Sequence, residues 1–199
     1  MPERAEMSKN LRIALQETTE MHALFDERCS SILAGIAKLC ADTIYIGGRL
    51  FFCGNGGSAA ESQHLATELV VRLSADTARP AFSAIALTTD SSTLTACSND
   101  FGFDAVFARQ VEAHLRKGDI LFLLSTSGYS PNLIEAAKAS HKNYGVNVGF
   151  LGNKDTPLDE HLDIALHIPS DNAQRVQEAH LLCGHLLIQS IETQLLKNK

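Results

Sequence analysis

The sequence predicts an α/β fold in which a five-stranded parallel sheet forms the middle layer of a three-layer α/β/α sandwich, preceded by an N-terminal helical extension. Two observations support this prediction. Five short apolar runs are bounded by Gly, Asp, Pro or Ser, as buried parallel strands are. Amphipathic segments with helical spacing alternate with these runs, and repeated strand–helix–strand units produce a parallel sheet with helices on both faces.

The N-terminal segment is the first element. Apolar residues recur at spacings of three and four over about the first 45 residues, which predicts one or two helices, with any break near residues 18–20. Gly47 and Gly48 then end the helical pattern. A chain of 199 residues is long enough for one well-buried domain. We therefore expect a single domain (1–199) that consists of N-terminal helices (1–46) and an α/β core (47–199).

The core alternates strands and helices. The predicted strands are residues 50–53, 81–87, 120–124, 146–151 and 164–168. The predicted helices are residues 59–73, 93–98, 104–115, 132–144 and about 172–196. Ligands of such sheets bind beyond the carboxyl ends of the strands, so chemistry is expected in the loops that directly follow the strands.

Composition argues against several classes of function. The net charge of −6 disfavours broad nucleic-acid binding, which needs Lys and Arg to displace phosphate counterions. The N-terminus lacks the apolar segment of a secretory signal, and no run approaches the roughly 18 apolar residues of a membrane span. The five cysteines are scattered without a CxxC pair, which indicates reduced thiols. We therefore expect a cytoplasmic protein that binds neither nucleic acid nor membranes.

Residues 54–58, which we call the glycine loop, follow the first predicted strand and open a helix. The loop contains Asn55, Gly56, Gly57 and Ser58. Its glycines permit positive φ and close backbone approach, so several N–H groups can face one ligand at a helix N-terminus. The pattern matches neither the dinucleotide fingerprint GxGxxG nor the P-loop GxxxxGK(S/T). By itself it is equally compatible with a tight turn.

Residues 125–130, which we call the hydroxyl loop, follow the third predicted strand and precede Pro131. The loop contains Ser125, Thr126, Ser127 and Ser130. Hydroxyl and backbone N–H groups can together surround a phosphate at a helix N-terminus. The alternative is a helix cap, for which one hydroxyl suffices. Four such hydroxyls in six residues favour the anion site.

Titratable residues lie on the helix that the glycine loop opens. His64 and Glu68 are four residues apart and share a face with Arg72 one turn further. Such a pair can be two metal ligands, a base beside an orienting imidazole, or a polar surface pair. The position of the helix behind a candidate ligand loop favours a functional interpretation.

The closing helix carries Gln177, His180 and His185. His185 lies inside an apolar run, where a core histidine is the usual interpretation and a ligand is the alternative. Each residue of a helix advances the side-chain direction by about 100° around the helix axis. Gln177 therefore points about 80° away from His185 and about 60° away from His180. Helical spacing therefore does not decide which histidine accompanies Gln177.

Four motifs occur in the order CGNGGSAAESQHLATEL, SNDFGF, STSGYS and RVQEAHLLCGH. This combination resembles the sugar-isomerase (SIS) domain family, and within it the phosphoheptose isomerases. The resemblance implies a flavodoxin-like or Rossmann-like sheet and a homotetramer in which the N-terminal helices serve oligomer packing. It also implies an aldose–ketose isomerase that converts sedoheptulose 7-phosphate to D-glycero-D-manno-heptose 7-phosphate through an enediol, the first step of nucleotide-activated heptose synthesis, for lipopolysaccharide or another heptose glycan.

The resemblance also implies roles for individual residues. The implied sugar contacts are Asn55, Gly56, Gly57, Ser58, Glu68, Asn99, Asp100 and Gln177, although Asn99 and Asp100 by themselves indicate only a helix C-cap and turn. The implied phosphate contacts are Ser125, Thr126, Ser127 and Ser130. Glu68 would be the catalytic base and His185 the acid. One Zn²⁺ per subunit would be held by His64, Glu68, Gln177 and His185, which selects His185 over His180 by analogy.

Two other functions fit parts of the pattern. A replication factor that binds the initiator DnaA shares this fold and much of the glycine loop, but it lacks the helix carboxylate and the second C-terminal histidine. This sequence keeps both, as Glu68 and His185, which favours an enzyme. A sugar-phosphate sensor of a transcription regulator would need a DNA-binding segment, which the acidic N-terminal helices do not resemble.

Overall fold

A single helix, α1 (Pro2–Tyr45), forms the N-terminal segment, with no break at residues 18–20. The structure is a computed structural model that describes residues 2–197. The remaining helices are α2 (Gly57–Val70), α3 (Ser91–Phe101), α4 (Val106–His114), α5 (Pro131–Lys142) and α6 (Ala173–Lys197). Two 3-10 turns, Phe103–Ala105 and Asp159–His161, complete the helical elements of this part of the chain.

Five strands occupy the predicted positions. They are β1 (Leu50–Gly54), β2 (Ala84–Ala86), β3 (Ile120–Ser125), β4 (Val146–Leu151) and β5 (Ile164–His167). The second strand is shorter than the predicted 81–87, because Phe82 N donates to Leu69 O at the end of α2 and so binds this segment to the helix rather than to the sheet. The predicted five-stranded α/β architecture is confirmed.

The strand order places two loops beside one crevice. All four strand pairs are parallel, and the order across the sheet is β2-β1-β3-β4-β5, the flavodoxin-like arrangement. This order reverses between β1 and β3, and such switch points open a crevice at the carboxyl ends of the strands. The glycine loop follows β1 and the hydroxyl loop follows β3, so the two loops flank this crevice.

Each face of the sheet buries its own hydrophobic core. Phe52, Phe122 and Phe150 project toward α1, α2 and α6 on one face. Phe51, Leu121 and neighbouring side chains project toward α3, α4 and α5 on the other. Because helices cover both faces, the central strands are buried at nearly every residue and have no polar alternation.

Helix length and apolarity bear on membrane insertion. Within residues 2–197, no helix is both long and apolar enough to cross a membrane. The five cysteine side chains are buried thiols.

Candidate active site

Helices α2 and α6 run parallel, side by side, on the same face of the sheet. Contacting residues along the two helices are separated by a nearly constant 119 to 121 positions in sequence. At the start of α2, a Cβ built on Gly57 would lie 2.6 Å from Gln177 Nε2. Further along, a Cβ on Gly184 would overlap Leu65. The absence of a side chain at Gly184 therefore permits the close approach of the two helices.

This close approach brings His64 of α2 against His185 of α6. Their Nε2 atoms lie 2.7 Å apart, and the ring planes are inclined by 66°. One imidazole therefore donates its N–H to the lone pair of the other. Glu68 Oε1 lies 3.7 Å from His64 Nε2, and the Glu68 side chain is only 19% exposed. Two imidazoles and a poorly solvated carboxylate thus meet between the helices.

The donor chemistry of this cluster suits zinc, whereas the spacing is that of a hydrogen bond. Imidazole nitrogen and carboxylate oxygen are common zinc ligands. Two nitrogens bound tetrahedrally to one zinc would lie roughly 3.3 Å apart for Zn–N bonds of about 2.0 Å, which is farther than the 2.7 Å between His64 and His185. Accordingly, in the described part of the chain no group of three or more His, Cys, Asp or Glu side chains is arranged as a metal centre.

The fourth predicted zinc ligand, Gln177, lies against the glycine loop. Its amide is next to Gly57, at the first residue of α2. This contact joins the N-terminal part of α6 to the glycine loop, and a side chain at position 57 would displace it. The structure therefore groups His64, Glu68 and His185 directly, and places Gln177 at the loop that precedes them.

The glycine loop is bonded to the helix that follows the hydroxyl loop. Asn55 Nδ2 donates to Asn132 Oδ1, and Asn132 Nδ2 donates to Asn55 Oδ1, both at 2.9 Å. Gly56 has a φ of +56°, which favours glycine at this turn. Ser58 is buried at the start of α2. The Asn55 side chain, predicted to contact sugar, thus joins the two loops across the switch point.

The hydroxyl loop is shaped by its own first residue. Ser125 Oγ accepts a hydrogen bond of 2.9 Å from Gly128 N. Gly128 has a φ of +67°, and a Cβ there would overlap Thr156, so glycine is required on two grounds. Ser130 occupies the N-cap position of α5 without a capping hydrogen bond from its side chain. Its hydroxyl is therefore not engaged as the helix cap that was the alternative to a phosphate contact.

Lys154 is a cation near the hydroxyl loop that the sequence did not reveal. It lines one cavity together with Thr126 and Ser127, and its Nζ is 3.2 Å from Asp171 Oδ1. The residue follows β4, so the general rule for strand-exit loops could have found it. The cavity thus combines hydroxyls with one ammonium group and the carboxylates of Asp155 and Asp171.

Glu61 is a second residue that sequence reasoning missed. It lies on α2, one turn before His64, and burial raises the pKa of its carboxyl to about 7, although a hydrogen bond with Ser58 acts in the opposite direction. Its Oε2 is buried and has no hydrogen-bond partner within residues 2–197. Glu61 is three residues before His64 and seven before Glu68, so it lies on the helix face that was predicted for that pair. This spacing is the sequence signal that could have identified Glu61.

The structure distinguishes His180 from His185, which helical spacing could not do. His180 is fully buried, with Nε2 3.2 Å from Leu151 O. Burial lowers the pKa of His180 to about 4, against an opposing effect of the bond to Leu151, so this imidazole is a neutral core residue. His185 is the histidine that meets His64.

Asn99 and Asp100 belong to a different helix, α3. They form its last turn and are exposed, and the buried side chains of α3 pack on the sheet face opposite α2 and α6. Asn99 Nδ2 donates to Asp100 Oδ1 at 2.7 Å. Their predicted contact with the sugar stays a prediction.

Comparison with known proteins agrees with this geometry. The SIS domain family matches residues 15–149. A phosphoheptose isomerase of Pelodictyon phaeoclathratiforme is 47% identical over 167 residues, which cover 83% of this chain and 79% of that protein. The chain belongs to the phosphoheptose isomerase family of SIS-domain proteins.

Solved structures of this family have the same fold. A phosphoheptose isomerase from Neisseria gonorrhoeae superposes with a TM-score of 0.88 and 34% identity, over 94% of this chain and 99% of that chain. A phosphoheptose isomerase from Francisella tularensis gives a TM-score of 0.90 and 30% identity, over 94% of this chain and 98% of that chain. Nearly the whole chain, including α1, therefore follows the phosphoheptose isomerase architecture.

Proposed function

We propose that the protein interconverts sedoheptulose 7-phosphate and D-glycero-D-manno-heptose 7-phosphate, as an aldose–ketose isomerase. The observation that carries this proposal is the cluster of His64, Glu68 and His185, placed behind the glycine loop of a phosphoheptose isomerase fold. The product would enter nucleotide-activated heptose synthesis, for lipopolysaccharide or another heptose glycan.

The reaction moves a proton between two carbons. Glu68 would remove the proton from C1 of the ketose, and an enediol forms as the C1–H electron pair becomes the C1–C2 double bond. His185 would donate a proton to the C2 oxygen. Glu68 then returns its proton to C2, whose new C–H bond uses the electron pair of the double bond, while His185 accepts the proton of the C1 hydroxyl. C1 becomes the aldehyde, and both side chains recover their initial protonation states. Because a carbon acid beside a carbonyl is weak, the reaction needs both a positioned base and stabilisation of the developing oxyanion.

The hydroxyl loop supplies the anchor for this chemistry. Ser125, Thr126, Ser127 and Ser130 would hold the phosphate at the N-terminus of α5, and Lys154, which is paired with Asp171, lies in the same cavity as Thr126 and Ser127. A phosphate fixed beyond β3 leaves the other end of the sugar to reach Glu68 between α2 and α6. Such fixed orientation accounts for several kcal/mol of catalysis in well-oriented reactions, on the order of 7–11 kcal/mol at the upper limit.

One Zn²⁺ per subunit belongs to this proposal. His64, Glu68, Gln177 and His185 would hold the ion, and its support is the donor set of two imidazoles, a carboxylate and an amide oxygen. When bound, the ion would polarise the substrate oxygens at C1 and C2.

We further propose a cytoplasmic homotetramer. Apolar side chains are exposed on the N-terminal helix and on α6, among them Leu11, Leu15, Leu182 and Leu186. A groove between the two helices contains Phe25, Leu33 and Leu186. Exposed apolar patches of this kind mark protein interfaces, and burial of the five cysteine thiols suits a reducing compartment. Light scattering on the purified protein tests the tetramer.

A direct assay tests the isomerase proposal. The protein is treated with a chelator and incubated with sedoheptulose 7-phosphate, with and without added zinc, and the aldose is followed by NMR. We expect turnover with zinc and its loss after chelation. Tight binding to DnaA without turnover under any metal condition would favour the replication-factor alternative, which none of the relatives described above supports.

A further inference from the structure

Arg79, in the segment between α2 and β2, caps the C-terminal end of α2. Its Nη2 donates to Glu68 O at 2.6 Å, and its Nη1 donates to Leu69 O at 2.8 Å. The guanidinium also lies 4.2 Å from the centre of the Phe82 ring, and the side chain is fully buried. Carbonyls of the last helical turn have no partner within the helix, and a cation is favourable there. Arg79 therefore holds the backbone of Glu68 itself.

The same guanidinium is joined to α6 through Glu192. Arg79 Nε donates to Glu192 Oε1 at 2.6 Å, and the Glu192 side chain is only 6% exposed. Leu73 N also approaches Glu192 Oε1, at 3.4 Å. One buried ion pair thus connects the end of α2, the segment that follows it, and α6.

This ion pair is one of several contacts that join α2, or the segment after it, to α6. Gly57 meets Gln177 at the start of α2, and Leu65 meets Gly184 in the middle. Arg79 and Glu192 fix the far end, beyond Glu68. His64 and Glu68 therefore lie between two fixed ends of α2, and their distance from His185 depends on both.

We infer that Arg79 and Glu192 are positioning residues that set the separation of His64 and Glu68 from His185. Isomerisation needs base and acid at the same two carbons, and a displacement of about 1 Å can cost on the order of 10²-fold in rate. Buried ion pairs add little stability compared with apolar residues of similar volume, so stability alone does not explain this pair. The inference rests on the proposed isomerase function.

Variants of the pair test this role. Glu192→Gln keeps the shape of the side chain and removes its charge, whereas Arg79→Met combined with Glu192→Leu removes both charges without leaving one unpaired. The control is Arg49→Met combined with Asp119→Leu, since Arg49 Nη2 and Asp119 Oδ2 form a partly buried pair at 2.9 Å where β3 begins, at the opposite end of the strands. Steady-state kinetics with sedoheptulose 7-phosphate and thermal unfolding are measured for each.

We expect kcat to fall at least tenfold in Glu192→Gln and in the Arg79/Glu192 double variant, with KM changed less than threefold, because the hydroxyl loop lies on other elements. The Arg49/Asp119 control should lose thermal stability and keep its kcat. Folded variants with kcat within threefold of wild type, or with KM raised as much as kcat is lowered, would overturn the inference. If the double variant does not fold, Glu192→Gln decides.

A readout independent of turnover separates this inference from the proposed function. In ¹⁵N-histidine NMR of the chelated, metal-free protein, the shared proton of His64 and His185 should give a distinct pair of ring signals, which Glu192→Gln shifts and the Arg49/Asp119 control leaves in place. Unchanged signals in Glu192→Gln would contradict the positioning role. If the wild-type protein does not isomerise the sugar, the proposed function fails, and the NMR comparison still tests the geometry.

Discussion

Asn55 and Asn132 exchange two hydrogen bonds of 2.9 Å, amide to amide, across the crevice between β1 and β3. One residue belongs to the glycine loop and the other to the first turn of α5, directly after the hydroxyl loop. Asn132 is buried, so its polar atoms depend on this partner. The pair fixes the distance between the loop that leads to His64 and the loop proposed to hold phosphate.

Asn132→Ala should therefore weaken substrate binding as well as the fold. The variant leaves the Asn55 amide without its partner, which costs about 1–3 kcal/mol of unfolding free energy. The two loops then lose their fixed spacing, and we expect KM to rise several-fold. Urea unfolding and steady-state kinetics measure the two effects. Asn147→Ala is the control, because Asn147 is equally buried but bonds Ala137 O and His161 O; it should lose stability with KM unchanged.

Ser130→Ala distinguishes a phosphate contact from a helix cap. Since the Ser130 side chain makes no capping bond, its loss should change the unfolding free energy by less than about 0.5 kcal/mol. A hydrogen bond to a charged phosphate is worth about 1.5–3 kcal/mol, so KM should rise roughly tenfold or more. Asp90→Ala provides the comparison, because Asp90 caps α3 through Ser92 N and Thr93 N. That variant should lose about 0.5–2 kcal/mol of stability.

Ser125→Ala combined with Ser130→Ala should weaken binding further, because Ser125 Oγ also holds Gly128 N in the turn of the hydroxyl loop. An unchanged KM in this double variant would indicate that the hydroxyl loop is only a structural turn and does not contact the phosphate. Binding of substrate to the inactive Glu68→Gln background, measured by calorimetry, avoids the ambiguity of KM.

The fold could be predicted because its signals are local. Apolar runs bounded by turn residues located all five strands. The predicted second strand began too early, because the N–H of Phe82 bonds to Leu69 O at the end of α2 and not to the sheet. The pairing of His64 with Glu68 also follows from helical spacing alone. His185 could not be separated from His180 by azimuth, since the choice depends on the packing of α6 against α2. Arg79 was not predicted for the same reason: its partners come from three separate segments.

Glu61→Gln should change the pH dependence of stability. The folded-state pKa of Glu61 is raised to about 7 from an ordinary value near 4.5. Between these values the folded protein binds more protons than the unfolded chain, so the contribution of Glu61 to stability is present at low pH and is lost as pH rises through about 7. Glutamine does not titrate, so the variant should gain melting temperature relative to wild type between pH 5 and pH 8.

The comparison needs a control because other groups titrate in the same range. His180, with its pKa lowered to about 4, contributes stability that is present above its unfolded pKa and lost as pH falls toward 4, the opposite slope. Subtracting the melting temperature of the wild type from that of the variant at each pH removes the contribution of His180, which both proteins share. If the melting-temperature difference between Glu61→Gln and wild type does not change with pH, the Glu61 carboxyl is solvated.

Glu68→Gln and His64→Ala separate the base from the metal ligand. Glutamine keeps the size of the side chain and one oxygen donor but cannot accept a carbon-bound proton. Because a general base contributes about 10²–10⁴-fold, kcat should fall by that order while calorimetry still detects substrate binding. His64→Ala removes an imidazole that meets His185 at 2.7 Å, so metal content should fall first, with partial recovery of turnover in excess zinc. Near-normal turnover of Glu68→Gln would contradict the role of Glu68 as the base. Wild-type turnover that persists under strong chelation would contradict the role of zinc in the reaction.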